Sequence, residues 1–164
     1  MSERYVSTKE ALRSADGTQV SLRGWVYRKR DLATKVFVVL RDSEGIIQCV
    51  VDKETSPKDL LDAAEKVTIE SSIELSGVVR SDPRAPGGKE VDVRSLKIVG
   101  LAEDFPIKGG ESVDYLLDVR HLWLRSRRLT HIMKIRATVL DALRRYFNEN
   151  GWWEVSPPIL TQSA

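Results

Sequence analysis

Phe37 and Gln48 flank Asp42-Ser43-Glu44-Gly45, a tetrapeptide with the composition of a tight hairpin turn. Pairing the runs on either side of that turn makes 37 and 48 near cross-strand neighbours on one face. An aromatic ring beside a carboxamide suits an unpaired nucleobase: the ring stacks on its π face and the amide bonds its Watson–Crick edge. Arg28, Lys29 and Arg30 end a strand-like run and offer cations to phosphates. Arg84 and Lys89 belong to a Pro/Gly loop, Ser-Asp-Pro-Arg-Ala-Pro-Gly-Gly-Lys over 81–89, that would rim the same face. Each residue also has a plainer reading. A Phe inside Val-Phe-Val-Val-Leu suits a core, a Gln suits a solvated strand position, an Arg-Lys-Arg run suits a solvated strand end, and a Gly-Gly turn needs no function.

Other chemistries find little support. Cys49 is the only cysteine, which excludes an intramolecular disulfide and a Cys-rich zinc site and suits a reducing cytosol. It alternates with Gln48 and so is expected to point inward as a small core residue. His121 and His131 have no carboxylate or cysteine at ligand spacing, so no metal is expected. No Walker-type phosphate loop, activated nucleophile or paired acidic metal site is visible, and no catalytic residue is expected in this segment.

These residues must be positioned by a small β structure. Of 164 residues, 41% are hydrophobic and 30% charged, enough for one complete core and little more. Net charge is only +2, so clustering matters more than the total. Strand-like runs cover Val20–Arg28, Lys35–Leu40, Ile46–Val51, Glu70–Val79 and Glu90–Val99. Between the third and fourth, Ser56 reads as an N-cap with Pro57 at the first helical position, and Leu60, Leu61 and Ala64 form a short apolar face. Three strands, a helix and two strands is the order of an OB-fold barrel, although an SH3-like barrel or a sandwich fragment could use the same strands. Phe105-Pro106-Ile107 and Gly109-Gly110 read as a linker, and Val113–Leu124 as a short ordered hinge. A long amphipathic helix follows, with Ile132, Ile135, Val139, Leu143 and Phe147 on one face and Asn150-Gly151 as its stop. Trp152–Leu160 then reads as a strand closed by a proline, Pro158. The cations Arg120, Arg125, Arg127, Arg128, Lys134 and Arg136 suit either an RNA backbone or a solvated hinge.

Taken together, Gly24–Leu32, Phe37–Asp42, Gly45–Val50, Arg84-Ala85-Pro86-Gly87-Gly88, Arg120–Ser126 and Ser156–Leu160 resemble the class IIb aminoacyl-tRNA synthetases. The asparagine-specific branch is the nearest likeness and the aspartate-specific branch the alternative. The resemblance implies a mainly β chain. Residues 1–102 would be a five-stranded OB-fold anticodon-binding barrel and 103–128 a hinge. Residues 129–164 would be the first helix and strand, motif 1, of an α+β catalytic domain, so the chain reads as the front third of an enzyme. It further implies tRNA as partner, with a GUU anticodon, Phe37 stacking on the middle uridine, Gln48 bonding its edge, and Arg28, Arg30, Arg84 and Lys89 nearby. Ile132, Ile135, Val139 and Pro158 would belong to a homodimer interface. ATP and magnesium would be used by the whole enzyme in the cytoplasm, through motifs 2 and 3 that this segment lacks. A non-catalytic OB protein binding RNA or single-stranded DNA would explain residues 1–100 alone, and a dimerisation module the helix alone.

Overall fold

In the computed structural model, which describes residues 4–160, the chain forms two units, Met1–Pro106 and Ile107–Ala164. The first contains helix α1 (Thr8–Arg13) and strands β1 (Gln19–Asp31), β2 (Lys35–Arg41) and β3 (Ile46–Asp52). Helix α2 (Lys58–Lys66) and strands β4 (Ser72–Ser81) and β5 (Lys89–Gly100) follow. The five strands close into a barrel in the order β1-β2-β3-β5-β4, antiparallel except for the β3–β5 pair. Closure rests on the length of β1: its first half pairs with β4 over Gln19–Trp25, and its second half with β2 over Trp25–Asp31. This is the OB-fold architecture that the order of elements predicts.

Alternation drives the fold. Along β2, Val36, Val38 and Leu40 are buried while Lys35, Phe37, Val39 and Arg41 are not. Val20, Leu22, Val26, Ile47, Cys49, Val51, Ile73, Leu75, Val79, Val91 and Val93 complete the interior, closed by Leu60 and Ala64 from α2, Val67 at its C-cap and Ala11 from α1. Each large aliphatic side chain removed from water contributes roughly 1.5–3 kcal/mol. Cys49 is fully buried, as its alternation with Gln48 predicts, and burial pushes its thiol up to about 12, so it stays protonated and inert.

Several elements differ from the sequence reading. β1 runs on to Asp31, because β2 supplies ladder partners to Arg28, Lys29, Arg30 and Asp31 despite their charge. Pro57 is the N-cap of α2 rather than its first helical residue, and Ser56 precedes it, its N–H donating to the Asp52 carbonyl at 3.1 Å in a turn. β4 begins at Ser72, since Glu70 adopts a left-handed φ of 67° that no strand continues. Helix α1 is an addition, and its signal was present: Ser7 accepts from the Glu10 N–H at 3.2 Å while the Glu10 carboxylate accepts from the Ser7 N–H at 2.9 Å, a capping box. Asp42 ties α1 to the hairpin, accepting from the Thr8 N–H and hydroxyl at 2.7 Å each and from the N–H groups of Glu44 and Gly45 at 2.8 and 2.9 Å. Burial by itself would raise the Asp42 pKa, but these four hydrogen bonds outweigh it and hold the carboxyl below its usual value. Its contribution to stability is therefore full above the ordinary aspartate range and is lost as pH falls through the lowered value.

The second unit has helices α3 (Val113–Asp118), α4 (Arg120–Trp123) and α5 (Arg127–Glu149). Ser112 and Ser126 cap α3 and α5 by accepting from the N–H groups of Tyr115 and Leu129. Gly151, at φ 82°, ends α5 in a Schellman turn: the Trp152 N–H donates to the Phe147 carbonyl at 3.0 Å and the Gly151 N–H to the Asn148 carbonyl at 3.1 Å. The strand expected after Gly151 is not formed: among the described residues, 152–160 pair with no other strand. A strand exists only by laddering to a neighbour, and here Arg144 instead holds Glu154 through two hydrogen bonds of 2.9 and 3.2 Å. No described helix is long and apolar enough to cross a membrane.

Candidate nucleic-acid interface

The register of three ladders lays the candidate residues out as two rows across the outside of the barrel. Arg28 (β1), Val39 (β2), Gln48 (β3) and Glu90 (β5) are successive partners in one row. Arg30, Phe37, Val50 and Asp92 form the next. Phe37 therefore lies diagonal to Gln48 on one face, at the ~7–8 Å that allows a long side chain to reach its neighbour. Its ring is half-buried rather than part of the core. Arg28 and Arg30 are exposed at the end of their rows, Arg30 directly opposite Phe37.

The carboxamide of Gln48 is held in place. Its Nε2 donates to the Glu90 carboxylate at 2.9 Å, which fixes its orientation and leaves one N–H and the oxygen with bonding capacity. Beside this pair, a cleft of about 350 Å³ is lined by Lys35, Val50, Asp52, Arg80, Glu90 and Asp92, among others. Asp92 accepts from Arg80 and Arg94 at 2.8 Å each, so the cations along β4 and β5 are held on the face by carboxylates. Glu90, Asp92, Arg80 and Arg94 were missed as site residues. The signal was available in Glu90-Val91-Asp92-Val93-Arg94, whose strict alternation puts three charged residues opposite two buried valines.

The remaining candidates are more dispersed. Arg84 projects from the loop before β5, its side chain 91% exposed and paired with Asp82 at 3.2 Å. Donating to the Asp82 carboxylate holds its guanidinium pKa above the usual arginine value. Lys89 turns toward α1, where its ammonium donates to the Ser14 carbonyl and lies 3.7 Å from Asp16. Lys29 faces the barrel side opposite Arg28 and Arg30 and donates to the carbonyls of Glu65 and Val67, closing the end of α2. Burial lowers its pKa against the pull of Asp31 and Glu65. In the second unit Ile132, Ile135 and Val139 are 45, 65 and 52% exposed, and Pro158 is exposed in the extended segment.

Comparison with known proteins follows the same division. Residues 20–99 match the family described as OB-fold nucleic acid binding domain, and residues 112–164 match tRNA synthetases class II (D, K and N). The asparagine–tRNA ligase of Thermococcus gammatolerans is 47% identical over 149 residues, which are 91% of this chain and 34% of that protein. That of Thermoplasma acidophilum is 43% identical over 97% of this chain and 36% of its own length. The crystal structure of asparaginyl-tRNA synthetase from Pyrococcus horikoshii superposes with a TM-score of 0.87 at 39% identity, covering 98% of this chain and 39% of that one. The chain thus spans about a third of the length of the curated relatives it matches. An OB-fold barrel followed by a segment that matches class II tRNA synthetases thus makes up a chain that is similar, over nearly all its length, to about a third of an asparagine–tRNA ligase.

Proposed function

We propose that the barrel reads the anticodon loop of a tRNA with the face built on β1, β2, β3 and β5. The observation that carries this reading is the pair of adjacent rows, which puts a half-buried aromatic ring, an oriented carboxamide and two exposed arginines on one surface. Stacking on Phe37 accepts any base. Gln48 then selects, because its free oxygen and N–H match a uracil edge, which presents an N–H flanked by carbonyls. Arg28 and Arg30 meet phosphates, and Arg84 adds an exposed cation at the rim, whereas Lys89 is engaged by Ser14 and Asp16. The anticodon proposed is GUU, that of an asparagine tRNA.

For the whole enzyme the proposal extends to joining asparagine to that tRNA at the expense of ATP with magnesium. The barrel serves that reaction by holding the tRNA. The apolar face of α5, including Ile132, Ile135 and Val139, is proposed to meet a second copy together with Pro158.

Binding of a GUU stem-loop at graded salt tests the assignment of the arginines. Each phosphate contact in a single strand contributes about 0.7 to the slope of log affinity against log salt. Arg28→Ala and Arg30→Ala are each expected to make that slope shallower by about this amount. Unchanged slopes in both would remove them from the interface.

A further inference from the structure

The ladder between β1 and β2 pairs Trp25 with Arg41 and Val26 with Leu40, then skips Tyr27 and resumes with Arg28 opposite Val39. Without the skip, Arg28 would fall opposite Val38 and Arg30 opposite Val36, both inward-pointing and at most 1% exposed. A one-residue shift of register reverses the face of every residue beyond it. The bulge at Tyr27 therefore decides that Arg28 and Arg30 stand beside Phe37 on the outer face while Lys29 turns the other way.

A compact group of side chains surrounds the bulge. The guanidinium carbons of Arg28 and Arg41 lie 5.4 and 5.5 Å from the centre of the Tyr27 ring. Arg41 is fixed in turn: its Nη2 donates to the Glu70 carboxylate at 2.8 Å, with the two side chains only 20 and 6% exposed. Its Nη1 is buried with no hydrogen-bond partner, and the nearby ring face supplies electrostatic compensation to the cation. Glu70 is the single non-glycine among the described residues with positive φ, a conformation that persists only where the surroundings fix it. Those surroundings include the bulged strand itself. The Glu70 N–H donates to the Val26 carbonyl at 2.7 Å, and the Val26 N–H donates to the Ser71 carbonyl at 2.9 Å. The residue before the bulge is thus gripped from the 70–71 side, and the bulged ring is engaged by the arginine that Glu70 holds.

We propose that Tyr27, Arg41 and Glu70 are positioning residues that lock the β1 bulge and so present Arg28 and Arg30 to RNA. The proposal rests on the anticodon reading above, but the bulge can be followed without RNA.

The test uses the full chain carrying Tyr27→Ala, Tyr27→Phe or Glu70→Gln, a GUU stem-loop titrated at several salt concentrations, and NMR contacts between Arg28 and Val39. Tyr27→Ala and Glu70→Gln are expected to lose about tenfold in affinity at low salt, with a slope shallower by about 1.4, two phosphates' worth. Their Arg28–Val39 contacts should weaken, while Tyr27→Phe keeps the ring, the slope and the contacts. Loss of packing alone would lower affinity without changing the slope. If Glu70→Gln does not fold, Tyr27→Ala, whose ring is only half-buried, carries the test. A wild-type slope with intact Arg28–Val39 contacts in Tyr27→Ala would overturn the proposal. Wild-type protein that binds no stem-loop would overturn the anticodon reading, and the register contacts would then decide the bulge claim alone.

Discussion

Phe37→Ala is expected to remove about 1–3 kcal/mol of binding to an anticodon stem-loop, the contribution of one base–aromatic stack. The barrel should tolerate the change, because Phe37 lies on the outer side of β2 while Val36 and Val38 fill the interior. Affinity should therefore fall with only a small change in melting temperature. The loss should be similar for several middle bases, since every base offers a π face. Gln48→Ala should behave differently. It removes the edge contact and also frees the Glu90 carboxylate, now held at 2.9 Å by the amide, so preference for uridine should collapse. Titrating stem-loops that differ only in the middle base separates the two effects. Equal discrimination in wild type and Gln48→Ala would assign base choice to another residue.

Gly77→Ala should have the largest effect on stability. A Cβ at Gly77 would sit 2.3 Å from the Asp92 carbonyl oxygen and 2.6 Å from Cγ1 of Val91. Neither neighbour can yield easily. Val91 is fully buried, and Asp92 is fixed in the ladder to β4 while its carboxylate holds Arg80 and Arg94. The position also adjoins the register shift between Ser76 and Gly77, where β4 and β5 bend round the barrel. A loss of about 3 kcal/mol is expected, the upper end for overpacking. In a domain of this size that corresponds to a fall in Tm of roughly 12–24 °C. Gly45→Ala is the control, because its nearest neighbour would be the Thr8 hydroxyl oxygen at 3.5 Å and no positive φ is involved. Calorimetry giving the two variants the same Tm would show that β4 and β5 can separate at Gly77 without loss.

Much of the barrel was legible because its strands alternate cleanly. The turn at 42–45 set the β2–β3 register, and that register alone put Phe37 and Gln48 on one side and Cys49 on the other. What escaped depended on partners distant in sequence. The bulge at Tyr27 exists only against β2, so β1 looked finished at Arg28, and which of Arg28 and Lys29 takes the outer face could not be read from their order. The Gln48–Glu90 pair joins strands brought side by side by a parallel crossover, which local periodicity does not reveal. Residues 152–160 erred in the other direction: their composition favours a strand, but pairing needs a neighbour that the described residues do not supply. Lys89 shows a further limit, since a cation beside a loop reads as available until a carbonyl such as that of Ser14 is seen to hold it.

The most direct measurement compares wild-type binding to stem-loops with GUU, GCU and GUC anticodons under one salt condition. The account predicts that GUU binds more tightly than GCU, because Gln48 beside Phe37 selects the middle uridine, and more tightly than GUC if the chain serves asparagine rather than aspartate. Equal affinity for GUU and GCU would contradict the claim that this face reads an anticodon.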